Sequence, residues 1–546
     1  MVSDRPVAAR RLPCAAILLS LLLLVPLCYI RAGLQSNSGG DTRKTFSLED
    51  PKYKSVVVAD VGNRQIFAPE FLFSYAFGPA FTKREKDSRH RYLNFMIYEK
   101  LLALEGYERH LDTSVEARQT LAEFEGDLAT EELYKDDIRS KVRIPEREIQ
   151  RGIKKEREHL SIRWLYTGRR ERIDTLSKQL QAGISFDSLF NGQRNDSVKP
   201  DDRSMETTVF KIERRNPALA AVLDTMSPHS VSSPVPAPDG YYLVMLGNRW
   251  INPLVTESEN IQLHSDVERV LVEQKSDSLS DLYIKRMMEG RHPVIIRKPF
   301  DILLTHLAEL VLDPKKFSDW KLADRLSGRW GAAEFHDPKL FGKQTLVELS
   351  DRKFTAGEFL DWYHAREYNL RLNSSSPQEF FMTLEEMVWR MIRDRLLTAR
   401  AINRRLQNRE NVRKQVKWWQ DKIVYKLVRG RISDSIRSND GLLRNYYADH
   451  RRDYRSAQGD TLSFEKAKEE VQRDYYSFEM TKRLLHRLLR LKEKYRIVIH
   501  DDDLKRLPIE DEFDPKAIDI YGVKKGGTFP RPAFPSIDYE WQAFTQ

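Results

Sequence analysis

The apolar positions of this chain recur mostly at helical spacing, interrupted by a few short runs of strand character. Val56-Val57-Val58-Ala59-Asp60-Val61 and Arg64-Gln65-Ile66 flank Gly62-Asn63, which predicts a hairpin with its turn at that dipeptide. Pro69-Glu70 then open a helix carrying Phe71, Leu72, Tyr75 and Ala76. A second helical series holds Tyr92, Phe95, Met96, Leu101 and Leu102, and the pattern breaks at Ile144-Pro145.

Residues 161–250 change character. Ile162 to Tyr166, Val209 to Ile212 and Tyr241 to Leu246 read as strands, with helices around Ile173, Leu176 and Leu180 and around Leu219, Val222 and Leu223 between them. This is an α+β pattern. A long helix from Glu257 to Met288 and a strand at Pro293 to Ile296 follow. Phe354-Thr355-Ala356-Gly357-Glu358-Phe359-Leu360 then echoes Ile66-Phe67-Ala68-Pro69-Glu70-Phe71-Leu72, 288 positions on. Met391-Ile392 and Leu396-Leu397 echo Met96-Ile97 and Leu101-Leu102, and a helix from Ser463 to Lys494 leads into a strand at Arg496 to Ile499. The order of these elements predicts a duplicated helical module. The expected organisation is a helical module at 55–160, an α+β domain at 161–250, and a long helix and strand at 251–300 that complete the first module. A linker or irregular region at 301–345, a second helical module without insert at 346–503 and a disordered or surface-draped tail at 504–546 follow. The fold class is mainly α with one α+β insertion.

At 546 residues, 40% hydrophobic and 32% charged, the chain is long enough for several domains and too polar for a multi-span membrane protein. Its net charge of +10 comes from interspersed charges of both signs. No concentrated basic patch or RNA-binding aromatic signature is present, so nucleic acid is not an expected partner. Arg10-Arg11 precede an apolar run from Leu12 to Ile30. Residues 1–33 therefore read as a signal peptide or an uncleaved membrane anchor through 12–30, followed by a linker at 34–54. Either reading means export. Both cysteines, Cys14 and Cys28, lie in this leader, and Val25-Pro26-Leu27 makes a poor lipid-attachment site before Cys28. Beyond residue 33 a disulfide framework, a cysteine nucleophile and a thiolate metal site are excluded, which suits an oxidising periplasm. No His-x-x-x-His, Gly-x-x-x-x-Gly-Lys or Gly-x-Ser-x-Gly pattern occurs, so no metal, cofactor or ATP is expected.

The order of leader, Val-Gly-Asn-Arg hairpin, Pro-Glu-Phe-Leu helix, α+β insert, long helix and closing strand resembles the SurA-like, parvulin-type family of periplasmic chaperones and peptidyl-prolyl isomerases. The insert is similar to a parvulin in three places. Gly183 and Phe186 fall in a Gly-x-x-Phe-x-x-Leu helix end, Met226 to Val235 follow the Ser-x-Pro-Val segment, and Asp239-Gly240-Tyr241-Tyr242-Leu243 follow the closing Gly-Tyr-His strand. Active parvulins carry a histidine in the first strand and another in the last; here those places hold Trp164 and Tyr242. Tryptophan accepts no hydrogen bond and tyrosine does not change charge near neutral pH. The resemblance thus implies a degenerate parvulin domain with no confident catalytic residue. His229 sits on a Pro/Ser turn with no acid beside it and reads as a solvent-facing histidine.

The resemblance further implies an ATP-independent holding chaperone in the periplasm. Its clients would be unfolded or nascent exported proteins, outer-membrane β-barrel precursors among them. An active isomerase and a structural subunit of an envelope complex are the alternatives. Holding unfolded chains needs accessible apolar surface. The candidates are Phe71, Phe73, Tyr75, Phe77 and Phe81 in the first module, and Trp362, Tyr363, Trp389, Trp418 and Trp419 in the second. Adjacent residues do not share a helix face, so one of Trp418 and Trp419 is expected in solvent or at an interface.

Overall fold

A computed structural model describes residues 52–193, 203–237, 239–253, 256–322, 341–367, 370–456, 459–509, 514, 529 and 535–544. The expected leader and nearly all of the linker after it lie outside these residues. The chain divides into two compact units: one spans residues 141–279, and the other joins the residues on either side of it. Both are mainly helical with small antiparallel sheets.

The larger unit begins with β1 (Val57–Val61) and β2 (Arg64–Phe67). Gly62 takes φ +59°, the left-handed region that a tight hairpin turn requires and that glycine adopts without penalty. Helices α1 (Ala68–Ala76), α2 (Ala80–Lys83), α3 (Ser88–Glu108) and α4 (Val115–Asp137) follow, the last capped by the Ser114 side chain. In the smaller unit come α5 (Glu146–Arg157), β3 (Glu158–Thr167), α6 (Arg170–Gln181), α7 (Phe186–Gly192) and β4 (Ser204–Thr208). Then come α8 (Val209–Arg215), α9 (Pro217–Thr225), β5 (Val235–Ala237) and β6 (Gly240–Ile251). The long helix α10 (Glu257–Met288) runs from the smaller unit into the larger.

The larger unit resumes with β7 (Val294–Ile295), α11 (Arg297–Val311), α12 (Pro314–Trp320), β8 (Thr345–Glu348) and β9 (Lys353–Thr355). Helices α13 (Ala356–His364), α14 (Pro377–Asn403), α15 (Glu410–Ser435), α16 (Asp440–Asp449) and α17 (Phe464–Lys494) come next, then β10 (Ile497–Ile499) and α18 (Asp501–Lys505). Helices α1 and α13 are both nine residues long and both follow a hairpin. Thr355 and Glu358 form a capping box at α13.

Strand pairing in this unit joins the two ends of the chain in one sheet and stays local in the other. The sheet order β10-β1-β2 sets Ala59 opposite Ile499, and the order β7-β8-β9 sets Val294 opposite Glu348. The expectation that 251–300 completes the first module is thereby corrected: its strand joins the 345–355 hairpin, and the strand at 497–499 completes the first. The helices follow suit. One core holds Phe71, Tyr92 and Leu101 with Val424, Tyr425 and Leu488; another holds Phe300, Leu303 and Leu307 with Phe354, Phe380 and Met391. At the crossings there is no room for a side chain: a Cβ on Gly106 would meet Val424 at 2.3 Å, and one on Gly126 would meet Thr398 at 2.7 Å.

Three further expectations change. The 301–345 region is no linker where it is described, because Ile302, Leu303, Leu307 and Ala308 give α11 a buried face. Val209 to Ile212 form the helix α8, which the Thr208 hydroxyl starts by accepting from the Lys211 N–H, and the strand lies just before it. The tail is not surface-draped throughout. Trp541 is fully buried, its indole N–H donates to Glu99 over 2.9 Å, and its ring lies 5.9 Å from Phe95. Trp541→Ala is expected to destabilise the larger unit by about 3–5 kcal/mol, read as a lower urea midpoint in equilibrium unfolding.

Candidate functional site

The smaller unit contains a four-stranded antiparallel sheet of order β4-β3-β6-β5. Alternation of side chains divides its residues between two faces. Leu160, Ile162, Val244 and Leu246 pack with Val209, Ile212 and Leu223 of α8 and α9. Leu165 and Leu243 pack with Ile173 of α6 and Phe186 and Phe190 of α7.

Trp164 and Tyr242 belong to the α8–α9 side and are each partly buried against that cluster. Trp164 sits opposite Val244 and Tyr166 opposite Tyr242, so the two positions are diagonal neighbours on one face. The Tyr242 hydroxyl donates to the Asp239 carboxylate, and the Tyr166 hydroxyl donates to the Asp239 carbonyl over 2.7 Å. The two rings lie 5.1 Å apart. Burial, reinforced by the Asp239 hydrogen bond, holds the Tyr242 phenol well above its ordinary range. The histidines of the β3–β6 segment are engaged elsewhere. His159 stacks on Trp250 with centroids 5.5 Å apart, and His229 occupies a turn at φ +64° while its backbone N–H donates to Leu246.

The aromatic candidates in the larger unit are mostly core. Phe71, Tyr75, Trp362, Tyr363, Trp418 and Trp419 are all under a tenth exposed, and Phe77 is half-buried. Burial corrects the assignment of Phe71, Tyr75, Trp362, Tyr363, Trp418 and Trp419 as client-binding residues and leaves that of Phe77 as an expectation. Phe71 and Tyr75 stack on each other and both meet Tyr92 edge-on, and the Trp362 N–H donates to Asp394 over 3.0 Å. The reading of Trp418 and Trp419 fails for a specific reason. Helix α15 packs against both α3 and α4, so two of its faces are buried. Trp419 stacks on Phe124 of α4 at 3.8 Å, and Trp418 lines a cavity together with Glu70 and Lys100.

That cavity is an open cleft of about 590 Å³ between the β1–β2 hairpin and α15. Arg64, Gln65, Glu70, Lys414, Lys417 and Trp418 contribute to its lining. At its floor the buried Lys100 ammonium lies 2.7 Å from Glu70 and 2.6 Å from Asp421, and the Tyr107 hydroxyl donates to Asp421 over 2.7 Å. Burial opposes the Lys100 charge, but the Asp421 and Glu70 carboxylates outweigh it and hold the ammonium above its ordinary value. Burial likewise raises Glu70, only partly offset by Lys100, and Glu70 Oε2 has no hydrogen-bond partner among the described residues. One helical position earlier, Glu99 accepts from Lys422 at 2.8 Å, and Lys422 also meets Asp538 at 2.9 Å. None of this charged group was singled out from the sequence. The available signal was Glu99-Lys100 inside the apolar run Leu93 to Leu104.

Among the described residues no group of three His, Cys, Asp or Glu side chains is placed to hold a metal, and no helix is long and apolar enough to cross a membrane.

No family profile and no curated protein matches the chain. Solved structures give weak similarity. A peptidylprolyl isomerase (PrsA) from Bacillus cereus is 16% identical over 40% of this chain and 86% of its own, with a TM-score of 0.23. The foldase protein PrsA from Streptococcus pneumoniae is 12% identical over 42% of this chain and 94% of its own, with a TM-score of 0.20. PrsA from Bacillus subtilis is 15% identical over 34% and 80%, with a TM-score of 0.16. Similarity at this level carries no argument about the fold or activity of this chain.

The raised Glu70 has a pH signature. Its folded-state pKa lies above the ordinary 4.5, so between that value and the raised one the folded protein holds a proton that the unfolded chain releases. Glu70 therefore contributes stability that grows as pH falls through this window and is lost as pH rises. Relative to the wild type, Glu70→Gln should gain in urea midpoint as pH rises through that window; a difference between the two that does not change with pH would contradict the raised carboxyl.

Proposed function

We propose that this chain is an exported, ATP-independent holding chaperone of the SurA-like, parvulin-type class, whose parvulin-like lobe does not isomerise prolyl bonds. Unfolded exported proteins, outer-membrane precursors among them, are its clients, and the periplasm is its compartment. The observation that carries this reading is the pair Trp164 and Tyr242 on one face of the β3–β6 sheet. Isomerisation needs a pocket that favours the twisted amide over both planar forms, with a polar network that responds to it. An indole N–H only donates, and the Tyr242 hydroxyl is already committed to Asp239. The lobe then serves as a peptide-contacting or spacing element.

The helical unit reads as two copies of one module. The hairpin and first helix recur 288 residues on as β8, β9 and α13. A short 3-10 turn before the next long helix recurs as well, at Leu111–Thr113 before α4 and at Leu406–Asn408 before α15. Two copies give two places to contact one client, so weak contacts combine into retention without nucleotide hydrolysis. Because the aromatic candidates of both copies are largely buried, retention falls to surface that stays open, such as the cleft beside Trp418.

Two assays separate this function from its competitors. The chain should suppress aggregation of several unrelated unfolded proteins, and it should leave the isomerisation rate of a proline peptide at its buffer value. Catalysis that disappears in Tyr242→Ala would establish an isomerase instead, and protection of no client would point to a fixed structural subunit.

A further inference from the structure

The cleft beside Trp418 combines an open strand edge, a positive lining and a neighbouring groove that already holds a peptide. Among the described residues the order β10-β1-β2 gives β2 a strand partner on one side only. Val61 and Arg64 close the two-residue hairpin, so ladder alternation turns the backbone N–H and C=O of Gln65 away from β1, toward the cleft that Gln65 lines. Five lysine and arginine side chains line the cleft against three carboxylates. One of those carboxylates, Glu70, has its Oε2 unpartnered at the floor among the described residues.

A second, much smaller pocket shares Glu70, Lys100, Asp421 and Trp418 with the cleft and is lined by Pro535 and Ser536 of the tail. There the tail binds as an irregular peptide. The Ile537 N–H donates to the Tyr92 hydroxyl over 3.4 Å and the Asp538 N–H donates to Glu99 over 3.1 Å. The Asp538 carboxylate meets Lys422, and Trp541 fills the core beyond. The groove between α3 and α15 thus already accepts main-chain donors, an acidic side chain and an aromatic anchor from one peptide.

We propose that the open half of this groove takes an extended, net-acidic segment of an unfolded polypeptide, which adds to β2 as a further strand. The assignment rests on the holding function proposed above and names where that function makes contact. Main-chain hydrogen bonds to an edge strand are indifferent to sequence, which suits a binder of many clients. Alternate side chains of the added strand would face α15, where the exposed Lys417 supplies positive charge.

Hydrogen–deuterium exchange on the full chain, with and without a soluble acidic peptide rich in valine and threonine, tests this directly. Bound peptide should slow exchange at residues 64–67. Gln65→Pro, which removes the outward N–H, and Lys417→Glu, at an exposed position, should each weaken peptide affinity about tenfold. The effect of Lys417→Glu should shrink at high salt. The proline variant is compared only where its thermal unfolding matches the wild type; Lys417→Glu and the exchange measurement on unaltered protein do not depend on it. Peptide binding without protection at 64–67, unchanged affinity in Lys417→Glu, or no peptide binding at all would each overturn the assignment. If aggregation suppression persists in those cases, the cleft alone is misassigned. If the unaltered chain protects no client, the holding function fails as well.

Discussion

Neither hairpin of the larger unit is a finished sheet. A two-stranded ribbon is marginal in water, and here each gains its third strand from outside itself: β10, from the far end of the chain, for the first hairpin and β7, from the segment just upstream, for the second. The remaining packing is built around that exchange. The early helix α3 lies on the late helix α15, α4 lies on both α14 and α15, and the cores mix residues from widely separated segments. The core of the first hairpin joins segments on both sides of the 141–279 insertion, whereas the core of the second is drawn from one continuous stretch, so cooperativity across the insertion is expected of the first core.

Charge reinforces the same crossings. Lys100 and Lys422 are buried between carboxylates where α3 meets α15, and Arg366 and Arg395 both reach Glu123 on α4. A buried ion pair contributes little net stability, but stranding one partner costs about 3–5 kcal/mol. Such groups penalise every helix register except the one that satisfies them. Gly106 and Gly126 act in the same direction, because the close approach they permit exists at one crossing point along each helix.

Much of the local structure was legible in the sequence. Gly62-Asn63 marked the hairpin, Pro69-Glu70 the start of α1, and Glu257 to Met288 the long helix, because these features depend on neighbours in the chain. Partner choice was not legible. The strand at 294–295 carries no information about which hairpin it will join, since main-chain pairing is nearly blind to side-chain identity. Accessibility of the aromatics was misread for a related reason: helical spacing reports one apolar face, whereas α15 uses two, and both Trp418 and Trp419 are buried. Trp164 and Tyr242 were singled out only through the resemblance to parvulins, and the alternation in β3 and β6 puts them on one face. The cleft was not, since it is assembled from residues more than 300 positions apart.

The pairing of β1 with β10 also has a kinetic side. Asp60, within that ladder, and His500, just beyond it, are hydrogen-bonded although 440 residues apart. During synthesis the hairpin at 57–67 emerges early, and its outer edge stays unsatisfied until nearly the whole larger unit has followed. For that interval the nascent protein displays the kind of sticky margin that recruits other extended chains, and escape from premature partners becomes a requirement of its own maturation.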